Sequence, residues 1–177
     1  MTSAARCFLT VLSALMILGW SSIADAQFMR GYDLFRTGQY CEAREAWLES
    51  EKSGDSTSPF GLAELYAQGL CVKKNDRLAS RWYLTAAQRG NPRARAEIGM
   101  RYAYGKGVNP DVVKAYVWIS TSRASAGGWE RDFVSTVDKN VLIVERMMTA
   151  VQRQRATDIL EEFNKTYRLP REFDSLD

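Results

Sequence analysis

The feature that most constrains the fold of this chain is an internal repeat with a period of 36 residues. Residues 79–82 align with residues 115–118 at an offset of 36 (118 − 82), and the same offset superimposes Tyr66 on Tyr102. A degraded copy of the second half of the unit lies one period upstream, at residues 43–55. Self-similarity at this period is typical of stacked helical hairpins. The sequence therefore predicts an all-α array.

Composition and charge exclude several functional classes. The chain has 177 residues, of which 46% are hydrophobic and 25% charged, a balance that suits one globular domain. Its net charge of +3 is dispersed, so we expect no nucleic-acid partner. Histidine is absent, which excludes Ser-His-Asp and Cys-His catalysis and removes the commonest zinc ligand. With no Gly-rich phosphate loop or calcium-type acidic ladder either, we expect no catalytic residue, cofactor or metal.

Residues 1–26 have the order of a secretory signal peptide. Arg6 precedes an apolar run over residues 7–20, and small and polar residues follow up to Ala26. A membrane anchor is the alternative, but this run falls short of the ~20 residues that a helix needs to span a bilayer. We expect cleavage after Ala26, a periplasmic or secreted protein, and no stable membrane span after cleavage.

Two cysteines, Cys41 and Cys71, follow the expected cleavage site. Export places such residues in an oxidising compartment, where a disulfide persists. A bridge between them would close a loop of 30 residues (71 − 41), worth about 3.5 kcal/mol in the chain-entropy model. Two separate buried thiols are the alternative.

Capping signals divide the chain into helices. Asn or Ser followed by Pro combines an N-cap with proline at the first helical position, and Thr149 with Gln152 forms a capping box. Small residues mark places where paired helices cross closely. The predicted N-caps are Ser58, Asn75, Asn91, Asp111 and Thr149, and the predicted core tryptophans are Trp47, Trp82 and Trp118.

These signals predict a short right-handed α-solenoid of about three helical hairpins plus a C-terminal capping helix pair. We expect one repeat domain over residues 27–168. Its units are about 28–54, 55–90 and 91–127, and its capping helices, which cover the end of the stack, are 129–147 and 149–167. Pro170 blocks further helix, so residues 169–177 are expected to fray.

The residues of the repeat resemble a known family. Leu62-Ala63-x-x-Tyr66-x-x-Gly69, followed by Ala79-x-x-Trp82-Tyr83-x-x-Ala86-Ala87-x-x-Gly90, resembles the Sel-1-like repeat, a relative of the tetratricopeptide repeat. The copy from Ile98 to Trp118 is similar, and residues 30–55 resemble a plain tetratricopeptide unit. The resemblance covers nearly all of residues 30–163 and implies a scaffold that presents a concave groove to a peptide or protein, without chemistry of its own.

One departure from the family pattern concerns Cys71. It replaces the second glycine of the Gly-x-Gly loop, which the next copy keeps as Gly105-Lys106-Gly107. The replacement favours either a disulfide or a changed loop conformation at this point.

The resemblance also implies that a partner contacts the exposed residues of each unit's first helix. These residues are Arg30, Asp33, Thr37, Glu64, Gln68, Glu97, Met100 and Tyr104. For any one of them a solvated helix face is the alternative. Together they form a mixed acidic and polar strip with one exposed tyrosine, which suits an extended peptide with some positive charge.

Two other functions stay open. One is a periplasmic regulator or envelope-assembly factor that binds the soluble domain of a membrane protein. The other is weak peptidoglycan or β-lactam binding or hydrolysis, to which some cysteine-rich secreted relatives are linked. Against the second, no Ser-x-x-Lys motif begins a helix, and acid pairs such as Glu45 with Glu49 lie on a helix surface without an evident cause for a raised pKa.

Overall fold

A computed structural model describes residues 29–125 and 131–177 of the chain. The expected leader, its cleavage site, the end of the third predicted unit at residues 126–127 and the start of the first predicted capping helix at residues 129–130 lie outside these residues. The described part of the chain contains the following α-helices, given in chain order. They are α1 (29–36), α2 (Tyr40–Glu51), α3 (Ser58–Gln68), α4 (Asp76–Gln88), α5 (Pro92–Tyr104), α6 (Val112–Ser125), α7 (Arg131–Met147) and α8 (Ala150–Thr166). A short 3-10 turn follows at Arg171–Phe173.

Most predicted caps are confirmed. The side-chain oxygens of Asn75, Asn91 and Asp111 each accept the backbone N–H three residues further on at 3.0 Å. Thr149 and Gln152 exchange both bonds of the capping box, at 2.9 and 3.3 Å. Each bond satisfies a backbone donor that the first helical turn leaves without an intrahelical partner.

The prediction of Ser58 as an N-cap is wrong. Ser58 is the first residue of α3, and Thr57 occupies the cap position without a side-chain cap bond. The carboxylate of Asp55 takes over this role, because its Oδ1 accepts the backbone N–H of Thr57 at 2.8 Å and that of Ser58 at 2.6 Å. Two hydrogen bonds to the Asp55 carboxylate, which lies before the helix, therefore take the place of the single bond that a Ser58 hydroxyl would accept as N-cap.

Neighbouring helices pack along the chain as a short α-solenoid: α2 on α3, α3 on α4, α4 on α5 and α5 on α6. The crossings occur at small residues, as predicted. Ala63, Ala79 and Ala115 have no exposed surface, and a Cβ added to Gly99 would stand 2.9 Å from the carbonyl oxygen of Ala115. A larger residue there would push α5 away from α6.

The three tryptophans do not have equivalent positions. Trp47 and Trp118 are buried, with 3% and 2% of their surface exposed, whereas Trp82 is only partly buried and contacts both hydrophobic clusters. The period places Trp82 opposite Trp118, but Trp47 opposite Tyr83 (83 − 47 = 36). Trp47 fills a slot between Gly31 and Gly61, where a Cβ on Gly61 would lie 2.6 Å from its ring.

Helices α7 and α8 cover the last hairpin, since both pack on α6. Val137 and Val144 of α7 and Ala156 of α8 have no exposed surface, and Met148 between the helices is 5% exposed. These apolar residues of α7 and α8 therefore close the core at the end of the stack.

Residues 169–177 do not fray, contrary to the sequence-based prediction. Pro170 does end the helical region, but Phe173 beyond it is 1% exposed and packs edge-on against Trp118, with ring centroids 6.0 Å apart. The hydroxyl of Tyr102 donates to the Ser175 carbonyl oxygen at 2.8 Å. Burial of one aromatic ring outweighs the entropy that favours a loose end.

Among residues 29–125 and 131–177, no helix is both long enough and apolar enough to cross a membrane.

Candidate functional site

A cleft crosses the first helices of the three hairpins. Its volume is about 390 Å³, and Trp47 of α2 forms its floor between the helices. The walls are Tyr32 and Phe35 from α1, Phe60 and Glu64 from α3, and Pro92 and Arg93 from α5. A concave, mostly apolar surface with a few polar groups at its edge is the usual form of a binding site.

Aromatic contacts hold the walls of the cleft in place. The ring of Phe35 lies 5.6 Å from that of Trp47, and the ring of Phe60 meets that of Tyr83 edge-on at 5.7 Å. Both contacts join a first helix to a second helix, so the cleft is supported by the buried layer beneath it. Tyr32, in contrast, is 46% exposed and available to a ligand.

Glu64 is the polar residue at the centre of this surface. The buried hydroxyl of Tyr83 donates to its Oε1, and the amide of Gln68 donates to its Oε2 at 2.6 Å. Burial and the neighbouring Glu64 carboxylate both raise the pKa of Tyr83, which therefore stays a neutral donor. The two bonds fix the carboxylate with its charge at the surface.

Glu97 of α5 adds a second carboxylate next to Glu64. Partial desolvation and then the Glu64 charge raise the pKa of Glu97, while Arg101 and Lys106 oppose the rise. Although its carboxyl is partly desolvated, the residue as a whole keeps an exposed surface. A cation from a partner would relieve the repulsion between the two carboxylates.

Arg101 supports the acidic pair from below. Only 3% of its surface is exposed, and its guanidinium carbon lies 4.7 Å from the ring centroid of Tyr83. Its Nη1 donates to the Ser80 hydroxyl at 3.2 Å, which connects α5 to α4. The positive charge of Arg101 therefore interacts with buried groups and does not form part of the exposed surface.

The structure brings together only some of the sequence-predicted site residues. Glu64, Gln68 and Glu97 form one acidic cluster. Met100 is partly buried and packs against the core, whereas Tyr104 is 62% exposed. Arg30, Asp33 and Thr37 line a separate shallow depression on α1, and their contact with a partner stays a prediction. Helix α1 turns Tyr32 and Phe35 toward the cleft, because these residues pack beside the Trp47 slot.

Sequence reasoning missed Tyr32, Phe60 and Arg93 as wall residues. Phe60 lies one helical turn before Glu64, and Arg93 one turn before Glu97, so the faces that were chosen on α3 and α5 already contained them. Arg93 also lies over the ring of Phe133 in α7, at 5.7 Å from its centroid. This contact joins the α5 wall of the cleft to the first capping helix.

The predicted disulfide between Cys41 and Cys71 is confirmed, with a Cα–Cα distance of 5.1 Å. It joins α2 to the loop after α3 and so fixes the first hairpin beside the cleft. In the described ranges there is no group of three or more Cys, Asp or Glu side chains that could hold a metal ion.

Comparison with known proteins identifies the repeat. The family model of the Sel1 repeat matches residues 60–91 and 92–121. The chitin synthase regulator SKT5 of Saccharomyces cerevisiae is 31% identical over 74 residues, which are 41% of this chain and 11% of the yeast protein.

Two solved structures share the fold. One is a protective antigen present in uropathogenic Escherichia coli strains, which displays an SLR fold: the TM-score is 0.70 at 28% identity, covering 85% of this chain and 31% of the antigen. The other is a Sel1 repeat protein from Oxalobacter formigenes, with a TM-score of 0.56 at 25% identity, covering 71% of this chain and 59% of that one. This chain thus spans only part of each similar protein. Residues 60–121 of this chain thus match two Sel1 repeats, and its helical stack is similar to the fold of these two structures.

Proposed function

We propose that this chain is a non-catalytic protein-interaction scaffold that binds a peptide or protein segment in the cleft across α1, α3 and α5. The observation that carries the proposal is the combination of an aromatic cleft with two neighbouring carboxylates at its edge. Sel1 repeats typically mediate protein binding, which supports the same function. Apolar side chains of the partner would contact Tyr32 and Phe60.

The charge of the cleft sets the chemistry of the preferred partner. Glu64 and Glu97 repel each other, and a Lys or Arg side chain placed between them removes that repulsion. The partner segment therefore carries a basic residue next to an apolar one. This pattern gives specificity more than affinity, because the exposed carboxylates are screened by solvent and salt.

The proposed location is the periplasm. The order of charges and apolar residues in residues 1–26 supports export, and the Cys41–Cys71 bridge suits an oxidising compartment. Fractionation of cells that express the full chain, with N-terminal sequencing of the product, tests this location. A product that keeps residues 1–26 and fractionates with cytoplasmic markers would contradict it.

The cleft itself is tested by affinity capture from envelope extract. The test variant combines Tyr32→Ala, Glu64→Gln and Glu97→Gln. Its matched control combines Tyr167→Ala, Glu161→Gln and Glu162→Gln, the same three changes on the exposed surface at the end of α8. We expect the wild-type protein and the control to retain the same partner and the cleft variant to lose it. Equal retention by all three proteins would refute a role for the cleft.

The raised pKa of Glu97 favours a second candidate, weak hydrolysis or binding of a cell-wall or β-lactam compound. A carboxyl group with a raised pKa beside a second carboxyl group has the form of a general-acid pair. Turnover of a reporter β-lactam above a no-protein control, abolished by Glu97→Gln, would support this activity. Identical background rates for both proteins would exclude it.

A further inference from the structure

The tail segment, residues 169–177, lies in a groove formed by helices α4, α5 and α6 together with its own helix α8. We call this surface the tail groove and define it by Gln88 of α4, Tyr102 of α5, Lys114 and Trp118 of α6, and Arg155 of α8. Phe173 is the apolar anchor, 1% exposed against Trp118, and Leu176 packs against the same core. An aromatic residue and a leucine three residues later thus enter the groove together.

Side chains of the groove bind the main chain of the tail segment. Gln88 donates to the carbonyl oxygen of residue 174 at 3.3 Å, the Tyr102 hydroxyl to that of residue 175 at 2.8 Å, and the Lys114 ammonium to that of residue 177 at 2.9 Å. These three donors bond main-chain oxygens within residues 174–177 and do not depend on the side chains of the segment. The same contacts are therefore available to another segment that supplies the two apolar anchors.

The charges of the groove indicate that a segment bound there is acidic. The tail segment carries Glu172, Asp174 and Asp177, whereas the wall carries cations. Arg155 bonds both carboxylate oxygens of Glu172 at 3.0 and 3.1 Å, and Lys114 is only 7% exposed. Burial, followed by the Asp111 and Asp177 carboxylates, raises the pKa of Tyr102 to about 12, which keeps its hydroxyl a donor.

The repeat itself shows that the groove is specialised. One period upstream of Lys114 the chain has Leu78 (114 − 36), so the stack needs only an apolar residue at this position. A lysine here is buried and directs its ammonium group to the tail segment, while also lying 5.3 Å from the ring centroid of Tyr102. Its ammonium group therefore contacts both the segment in the groove and a ring of α5, where the chain has only an apolar side chain one period upstream.

Release of the tail segment would not disrupt any α-helix. Its only internal backbone bonds are those of the 3-10 turn, from Phe173 to Pro170 and from Asp174 to Arg171. Tyr167, at the hinge after α8, is 80% exposed. The segment is therefore a unit that opens locally, well before the stack unfolds.

We propose that the tail groove is a second peptide-binding site, separate from the cleft, and that its ligand is a partner segment with the pattern acidic-Phe-acidic-x-Leu. Residues 172–176 are the resident copy of this pattern and occupy the groove until the partner segment displaces them. The site lies on α4, α5, α6 and α8, on residues that do not line the cleft, and it does not depend on the proposed function of the cleft.

The test measures fluorescence anisotropy of a labelled peptide with the sequence of residues 168–177. In the wild-type protein the resident copy competes at an effective concentration on the order of millimolar, so the peptide binds weakly. The Phe173→Ala variant releases the resident copy, and we expect it to bind the peptide at least about tenfold more tightly than the wild type. A peptide with alanine in place of its phenylalanine serves as the matched ligand control and should not bind.

Three further variants make the result decisive. Lys114→Met in the Phe173→Ala background should weaken peptide binding several-fold, whereas the cleft variant Glu64→Gln in the same background should not change it. If Phe173→Ala loses helical circular dichroism, Glu172→Lys replaces it, since this change opposes Arg155 and leaves the core intact. The proposal is overturned if the folded released variant does not bind the peptide, or binds the alanine peptide equally well. Light scattering gives a further outcome that overturns the proposal. If peptide binding converts a dimer of the protein to a monomer, the groove instead holds the tail segment of a second copy of the chain.

Discussion

At the residue scale, Glu97 gives the structure a measurable dependence on pH. Its folded-state pKa lies above its unfolded value of about 4.3. The folded state therefore binds the proton more tightly, so the residue's contribution to stability is full below the unfolded pKa and is lost as the pH rises through the folded pKa. We expect Glu97→Gln to raise the free energy of unfolding at pH 7 by less than about 1 kcal/mol, because solvent screens the carboxylate.

Thermal unfolding at pH 7 and pH 4 measures this effect. The gain in the midpoint temperature of Glu97→Gln should be present at pH 7 and small at pH 4. Glu161→Gln, on the exposed face of α8, is the matched control and should change neither midpoint. A loss of stability of Glu97→Gln at pH 7 would show that Arg101 and Lys106 outweigh desolvation and Glu64.

Cys71 shows how a departure from the repeat pattern at one residue can predict a structural feature. Its departure from the family glycine suggested either a disulfide or a changed loop. The structure contains the disulfide and keeps the loop: φ is +61° at Cys71 and +74° at the equivalent Gly107. The backbone conformation is set by the helices on both sides, whereas the side chain was free to acquire a second role.

At the scale of elements, the Cys41–Cys71 bridge should be a major source of stability for the first hairpin. In the chain-entropy model, loss of the bridge costs about 3.5 kcal/mol. We expect the urea midpoint of the wild-type protein to fall when reductant is added. The double variant Cys41→Ser/Cys71→Ser should unfold at that lower midpoint with or without reductant. Equal midpoints for the oxidised and reduced wild type would contradict this account.

The cap of α3 should be sensitive to acid, unlike the cap of α4. Burial tends to raise the pKa of Asp55, but hydrogen bonds from Ser58 and Thr57 outweigh it, so this pKa lies below its usual range. The contribution of Asp55 is thus present above its unfolded pKa of about 3.9 and is lost as the pH falls through the folded value.

Asp55→Ala should cost about 1 kcal/mol at pH 7, and this difference should shrink as the pH drops below about 4. Asn75→Ala is the matched control, since it removes a neutral cap whose cost should not depend on pH. Urea unfolding at the two pH values measures both variants. A loss for Asp55→Ala that is the same at both pH values would exclude the ionised cap.

At this scale the sequence largely predicted which segments are helices, but it did not predict which face of each helix points into the cleft. Cap residues and small crossing residues placed the helices, because these signals act within one turn. The side of α1 that faces the cleft depends on the Trp47 slot between Gly31 and Gly61, which involves three separate segments. The sequence therefore did not predict that Tyr32 and Phe35 are the α1 residues that line the cleft, and the partner contacts of Arg30, Asp33 and Thr37 stay a prediction.

At the scale of the whole molecule, the period predicted the stack but not the path of the chain beyond it. Pro170 predicts that helix α8 cannot continue past it. It does not predict the path that the chain takes afterwards. The tail segment returns to α4 and α6 because Phe173 finds an aromatic partner there, a contact across 55 residues of sequence (173 − 118). Such long-range packing is the part of the fold that local patterns do not encode.

The most direct test of the account is site-specific photo-crosslinking in living cells. A benzophenone amino acid replaces Tyr32 in the cleft, which is 46% exposed, or, as the control, Tyr167 after α8, which is 80% exposed. The account predicts one discrete adduct from position 32, reduced several-fold when Glu64→Gln and Glu97→Gln are added, and no such adduct from position 167. The same adducts from both positions, or an adduct from position 167 alone, would contradict the cleft as the partner-binding surface.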